Sequence, residues 1–327
     1  MRTLVIGDTH FHNTNRELRL CQIQCIRDLH QGVACDIVVF LGDVFDKRSP
    51  SPECILDVRN LFQGVKKNVF ILRGNHDSAS KADDGVTILS LLERNAVFSA
   101  AGSIKVITKP TVIGNYHFIP HYENEQVIKE ELGKSPDGAI VFGHFGYEGS
   151  LNNAGDADFA ICPDDFNRTT FLGHIHQHHT RKNIKVLGTP YSTCFHDGGD
   201  KFYAILEDGE VEFVDMTTGP IHLTVTPRTL DDVNDHRNRY VIVRLLLERD
   251  DMDYNVYDLK QMYPHVCEWD IKYLPTYDEE ELSNYKTDVS MFQVNDQILE
   301  DYLEQAVSVY TKDQLRQALV ELRDEDQ

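Results

Sequence analysis

The chain has 327 residues, enough for one large domain and a smaller one, and its apolar (41%) and aromatic (9%) fractions fit a folded protein rather than a disordered one. A formal net charge of -21 argues against a general electrostatic grip on nucleic acid, because non-specific affinity comes from phosphate neutralisation by Lys and Arg; an anionic substrate would need a local basic patch, bound cations or a partner. The seven cysteines are scattered without a C-x-x-C pair, which speaks against a thiolate zinc site or a disulfide framework, and no long apolar run or leader-like segment occurs, so a soluble, cytoplasmic protein with no membrane association is expected.

From Arg2 to about Asp208, apolar runs alternate with amphipathic stretches, the pattern of an α/β layer fold. TLVIGD (3–8) reads as a strand, and ELRLCQIQCIRDLHQGV (17–33) as a helix with Leu18, Cys21, Cys25 and Leu29 near helical spacing and Gly32 as its stop. DIVVFLGD (36–43) is a second strand, SPECILDVRNLFQGV (51–65) a helix after a Pro start, and NVFILRGNHD (68–77) a third strand. Shorter β-like runs follow at TVIGNYHFIP (111–120) and IKVLGTP (184–190), stronger ones at AIVFGHF (139–145) and TTFLGHIH (169–176), and FYAILEDGEVEFVDM (202–216) carries DGE as a hairpin signal. The polar stretch from Pro227 to Asn238 reads as a linker, and RYVIVRLLLE, NVYDLKQMY and HVCEWDIKYL beyond it as strand, helix and strand. The expected division is a first domain over 1–226, a small α+β module over 238–277, an acidic linker over 278–294 and amphipathic helices over 295–327.

Five of these strand-like runs end in metal-capable residues: Asp8 and His10; Asp43 and Asp46; Asn75, His76 and Asp77; His144; and His174 with His176. Each motif alone has an ordinary explanation, since an Asp at a strand end is usually a cap or turn residue and a lone His is usually a hydrogen-bonded core residue. Their recurrence carries the signal, because ligands bind at the carboxyl ends of strands in open α/β sheets and residues distant in sequence can converge there. Carboxylates with imidazoles and no thiolate suit manganese, iron or zinc. More candidate ligands exist than one tetrahedral ion would use, which favours two ions sharing a carboxylate, a device for activating water and neutralising a phosphoryl displacement.

In this order GDTH, GDVFD, GNHD, GHF and GHIH resemble the five motifs of calcineurin-like metallophosphoesterases, and GDVFDKRSPSP followed by LRGNHDS resembles the SbcD and Mre-eleven branch, the nuclease subunits of double-strand-break processing complexes. The length is similar to that of the bacteriophage recombination nucleases, for which the host cytoplasm would be the compartment; the motifs span Gly7 to His176, and the rest matches in layout alone. Sibling protein phosphatases carry Arg-Gly after the second-motif Asp and Glu after GNH, unlike this chain. The resemblance implies a β-sandwich flanked by helices in four layers (αββα), a small α+β capping domain and C-terminal helices. It implies a first metal on Asp8, His10 and His176, a second on Asn75, His144 and His174, and Asp43 bridging them, with manganese favoured and magnesium as the alternative. His76 would orient the phosphate and protonate the leaving oxygen, with Asp77 as its orienter. Asp46 stands where many members have His, and would position phosphate, support a ligand or serve as a turn carboxylate; His12 reads as a loop residue, and His178 and His179 match no ligand position.

The activity so implied is a two-metal DNA nuclease, exonuclease on duplex and endonuclease on single strands. Its partners would be DNA, an SMC-like ATPase of the SbcC and Rad-fifty type docked on the C-terminal helices, and a second copy of the chain, together a heterotetramer. Dimerisation would use a helix over Asp83–Ala96 with Val86, Leu89, Leu91 and Leu92 as its apolar surface. The competing readings are a metallophosphodiesterase for nucleotides or small phosphodiesters, and an adaptor bridging DNA and ATPase. Arg237, Arg239 and Lys272 are the residues through which the small module could touch DNA.

Overall fold

The computed structural model describes residues 1–63, 65–94, 102–151, 159–248 and 254–274. The acidic linker and the C-terminal helices expected over 278–327 lie outside the described residues.

Strands β1 (Arg2–Ile6), β2 (Ile37–Phe40), β3 (Asn68–Leu72) and β4 (Ile104–Ile107) run parallel, and the hairpin of β11 (Phe202–Glu207) and β12 (Glu210–Asp215) completes a six-stranded sheet in the order β12-β11-β1-β2-β3-β4. The hairpin turn has positive φ at both Asp208 and Gly209, as the tight DGE turn requires. A second six-stranded sheet, in the order β5-β6-β7-β8-β10-β9, is built from β5 (Thr111–Ile113), β6 (Tyr116–Ile119), β7 (Ile140–His144), β8 (Thr170–Gly173), β9 (His179–Arg181) and β10 (Ile184–Val186).

The near-continuous apolar runs arise because these strands are covered on both faces. Val5, Val39 and Leu72 meet Phe118, Phe142 and Phe171 between the sheets. Their alternates Leu4, Phe40 and Ile71 pack on Ile23 and Ile26 of α1 (Arg16–Gly32) and Val58 and Leu61 of α2 (Pro52–Leu61). On the far side, Ile128 and Leu132 of α3 (Glu125–Gly133) cover Ile119, Val141 and Ile184. The result is the expected αββα layering. Side-chain oxygens of Asn15 and Ser51 cap α1 and α2 by accepting from Leu18 and Cys54 N–H, which fixes where the loops behind β1 and β2 end.

A third, all-parallel sheet comprises β13 (Ile221–Val225), β14 (Val241–Leu247) and β15 (Val266–Tyr273). Here the expected boundary shifts: Ile221–Val225, assigned from sequence to the first domain, pairs residue by residue with Val241–Leu245. The presumed linker is not a free tether, since it forms a 3-10 helix (Leu230–His236) whose Leu230 and Val233 are buried with Leu259 of α4 (Val256–Met262) against this sheet. The third sheet meets the larger part through the Asn15 amide, which donates to Glu268, and through Arg244, whose guanidinium lies 4.0 Å from the Phe195 ring centroid. Of the residues through which this module could touch DNA, Arg239 donates to the carbonyls of Thr218, Gly219 and Pro220, and Lys272 pairs with Asp270 at 3.3 Å.

The helix expected over Asp83–Ala96 is a 3-10 helix, Ile88–Leu92, among the described residues; 95–96 lie outside them. Leu89 and Leu92 face the core while Val86 and Leu91 are exposed, so these four residues do not share one apolar surface.

Candidate metal centre

The two packed sheets turn the carboxyl ends of β1, β2, β3, β7 and β8 to the same place, and all the candidate ligands sit within a few residues of those ends. Close approach there depends on glycine. Gly42, at φ +114°, has no room for a side chain beside the His144 ring, and a Cβ on Gly173 would strike the Asp8 carboxylate. Three ligand candidates, His10 (φ 39°), Asp43 (φ 45°) and His174 (φ 81°), have left-handed backbone, a conformation that costs free energy in non-glycine residues and persists where the surroundings enforce it. The bond from His10 N–H to the Asp43 carbonyl, 2.9 Å, is one such restraint.

The side chains form two groups about one carboxylate. Asp8, His10 and His176 place one ligand atom each within 4.8 Å of one another, and the two Nε2 atoms of His10 and His176 are 3.0 Å apart. In the second group the Asn75 Oδ1 lies 3.0 Å from His144 Nε2 and 3.1 Å from His174 Nδ1. Asp43 reaches both: its Oδ2 is 3.7 Å from His10 Nε2 and 3.4 Å from His144 Nε2, while its Oδ1 accepts from His76 N–H at 2.8 Å.

Cations fit this arrangement on its own chemistry. The Asp8 Oδ1 is buried with no hydrogen-bond partner, although Oδ2 accepts from His174 N–H at 2.6 Å. His144 Nδ1 donates to the Leu41 carbonyl at 2.8 Å, which turns Nε2 toward the oxygens of Asn75 and Asp43. Burial holds His10 and His176 below the usual imidazole pKa, in the neutral form that ligates metal. Burial pushes Asp8 well above the carboxylate range, whereas at His144 burial is outweighed by Asp43 and Asp8, which hold the ring at about 9. The site therefore demands positive charge, which two divalent ions would supply.

The remaining expected residues part ways. His76 borders the first group, its ring 5.0 Å from His10, and its Nδ1 donates to the Asp46 backbone carbonyl at 2.8 Å. Asp77 does not orient it: the carboxylate is fully buried and accepts from the N–H groups of Val44, Phe45 and Gly74, tying the second and third motifs together. Asp46 contributes that carbonyl, while its Oδ1 is buried without a partner. His12 accepts from Asn15 N–H in the loop before α1, His178 packs between Phe202 and Phe213, and His179 bonds the Tyr147 hydroxyl.

A model of the calcineurin-like phosphoesterase family matches residues 1–178, more than half of the chain and including every residue of both groups. The chain belongs to the calcineurin-like phosphoesterases. Metal-dependent phosphoester hydrolysis, with divalent ions as cofactors, is accordingly the chemistry of this centre. No curated protein matches the chain. Two members of this phosphoesterase site escaped the sequence reading. His121 is buried with its ring centroid 6.1 Å from those of His144 and His174, and Asp197 approaches His176 Nδ1 at 4.0 Å while accepting from Thr189, Thr193 and Lys201. Neither stands in a recognisable motif, although His121 does follow a strand as the known ligands do.

Proposed function

We propose that the chain is a two-metal DNA nuclease of the SbcD type. The observation that carries this reading is the Asp43 carboxylate standing between the Asp8, His10, His176 group and the Asn75, His144, His174 group. A nuclease in particular, rather than a phosphomonoesterase, is supported by the resemblance of GDVFDKRSPSP and LRGNHDS to that branch.

Bound divalent ions would supply an activated water and neutralise charge on the phosphate. The protein's own part falls to the residues around them. Asp8, His10 and His176 would hold one ion, Asn75, His144 and His174 the other, and Asp43 both; manganese suits this oxygen and imidazole set, with magnesium as a poorer fit. With Nδ1–H committed to the Asp46 carbonyl, His76 presents Nε2 to the substrate and, when protonated, donates from it to the leaving oxygen. Asp77 holds the motif backbones in register.

The acidity of the chain, net -21, favours a second reading in which nucleotides or small phosphodiesters are the substrates. In the first reading an SMC-like ATPase bound to residues 295–327 supplies part of the DNA grip, and two copies of each assemble as a heterotetramer in the cytoplasm. No helix among the described residues is long and apolar enough to cross a membrane. The test is manganese-dependent release of label from linear duplex DNA by the full chain, beside a chromogenic phosphodiester and a His76→Ala control. Duplex degradation by the wild type alone supports the nuclease; cleavage of the small diester alone, with and without the ATPase, supports the second reading.

A further inference from the structure

Beside the second ligand group lies a cavity of about 220 Å³ lined by Asn75 and His174 and, beyond them, by Arg48, Lys81, His121 and Glu123. Its cations are unusually placed for so acidic a chain. Arg48 and Lys81 come from the loops behind β2 and β3, and both turn to a single carboxylate, with Arg48 Nη2 at 3.6 Å and Lys81 Nζ at 3.9 Å from Glu123. Those separations are ion-pair contacts rather than hydrogen bonds; Arg48 Nη1 donates to the Ser78 carbonyl at 3.4 Å, and its Nη2 and the Lys81 Nζ face Glu123 without a hydrogen bond to it.

The cavity is held from both sides. Asp83, at φ 53°, accepts from the N–H groups of Glu123 and Asn124, and His121 N–H donates to the Arg73 carbonyl, so the turn after β6 is fastened to the loop after β3. The fourth wall is His121, 5% exposed, neither of whose ring nitrogens has a hydrogen-bond partner; Glu123 Oε1 is 3.8 Å away. Glu125, also at the rim, is committed to the Ala160 N–H and to Lys129. Around Glu123, then, Arg48 and Lys81 face one carboxylate from two loops, with Asp83 bonded behind it, next to the place where a scissile phosphate would sit.

We infer that this cavity is a second phosphate subsite, in which Arg48 and Lys81 grip the backbone phosphate adjacent to the scissile one and Glu123 keeps the two cations paired until that phosphate displaces it. The inference rests on the nuclease reading, and it supplies the local basic patch that a chain of net charge -21 needs to hold a polyanion. Exchange of one carboxylate for one backbone phosphate, each singly charged, leaves the cations paired at every stage.

The experiment is equilibrium binding of a fluorescein-labelled octathymidylate to the full chain in EDTA, followed by anisotropy, for the wild type, Lys81→Ala, Arg48→Ala, Glu123→Gln and, as a charge control at the one exposed residue of β4, Lys105→Ala. Lys81→Ala and Arg48→Ala should each weaken binding about 5- to 10-fold, and Glu123→Gln should tighten it about 3-fold. A gain from Glu123→Gln is a sign that damage to the fold cannot imitate. Absence of binding by the wild type, an equal loss in Lys105→Ala, or weakening by Glu123→Gln overturns the subsite. Addition of manganese to the same wild-type sample tests the nuclease reading separately, by whether the oligomer is cut.

Discussion

The Nδ1 of His76 donates to the backbone carbonyl of Asp46 across 2.8 Å, so the loop behind β2 aims the imidazole that stands beside the His10 ligand. Because main chain makes this bond, removal of the Asp46 side chain spares it. His76→Ala should lower kcat for manganese-dependent phosphodiester hydrolysis by roughly 10²–10⁴-fold with little change in manganese affinity by calorimetry. Asp46→Ala should cost far less; an equal loss would give the Asp46 carboxylate its own task at the phosphate.

Asp77 is expected to act on stability. Its carboxylate satisfies the N–H groups of Val44, Phe45 and Gly74, and Asp77→Ala would leave these buried donors without a partner, at about 1–3 kcal/mol each before relaxation. Urea unfolding should show a loss of about 3 kcal/mol or more. Asp77→Asn, which keeps an accepting oxygen, should recover part of it; if Asn and Ala variants are equally unstable, the carboxylate charge rather than its acceptors holds the loops.

Metal and stability should trade at Asp8. Burial raises its pKa well above the ordinary value and Oδ1 lacks a partner, so the ionised form is unfavourable until a cation arrives. Asp8→Asn should be at least as stable as the wild type in EDTA, yet gain much less in thermal midpoint when manganese is added. A wild-type gain from manganese that survives in Asp8→Asn would remove Asp8 from the ligand set.

His222, which is no candidate ligand, should make stability depend on pH. Burial lowers its ring to about 4 against Asp197, Ser192 and Glu268, while an unfolded imidazole titrates near 6.5. Between those values the unfolded chain takes up a proton that the folded chain refuses, so stability falls as pH drops through that window, by up to about 1.4 kcal/mol per pH unit for this group. Urea midpoints in EDTA at neutral and mildly acidic pH should converge less for the wild type than for His222→Asn. Identical slopes would place the dependence elsewhere.

The αββα core and the ligand clusters were legible because both are written locally. Runs buried on two faces show as unbroken apolar stretches, and each ligand follows its strand by a few residues, as Asp43 follows Phe40. What was not legible depends on partners distant in sequence. Nothing within Ile221–Val225 announces that its neighbour is Val241–Leu245 in parallel register. The family resemblance implied that Asp77 orients His76, but the His76 ring bonds the Asp46 carbonyl and the buried Asp77 carboxylate accepts from the N–H groups of Val44 and Gly74 instead. His121 stands in no motif of its own, and only the positions of β6 and β8 on either side of β7 in the sheet bring it beside His174.

The placement of β1 has a consequence for synthesis. This strand, which leads into Asp8 and His10, lies between β2 and β11, so one of its edges waits for residues 202–207. At typical translation speeds that interval is roughly 10–40 s, during which the first motif to leave the ribosome has an open edge and buried-type carboxylate and imidazole groups still in water. The sheet beneath the centre is therefore completed late, and chains interrupted before β11 would carry all seven candidate ligands without closing the sheet that aligns them.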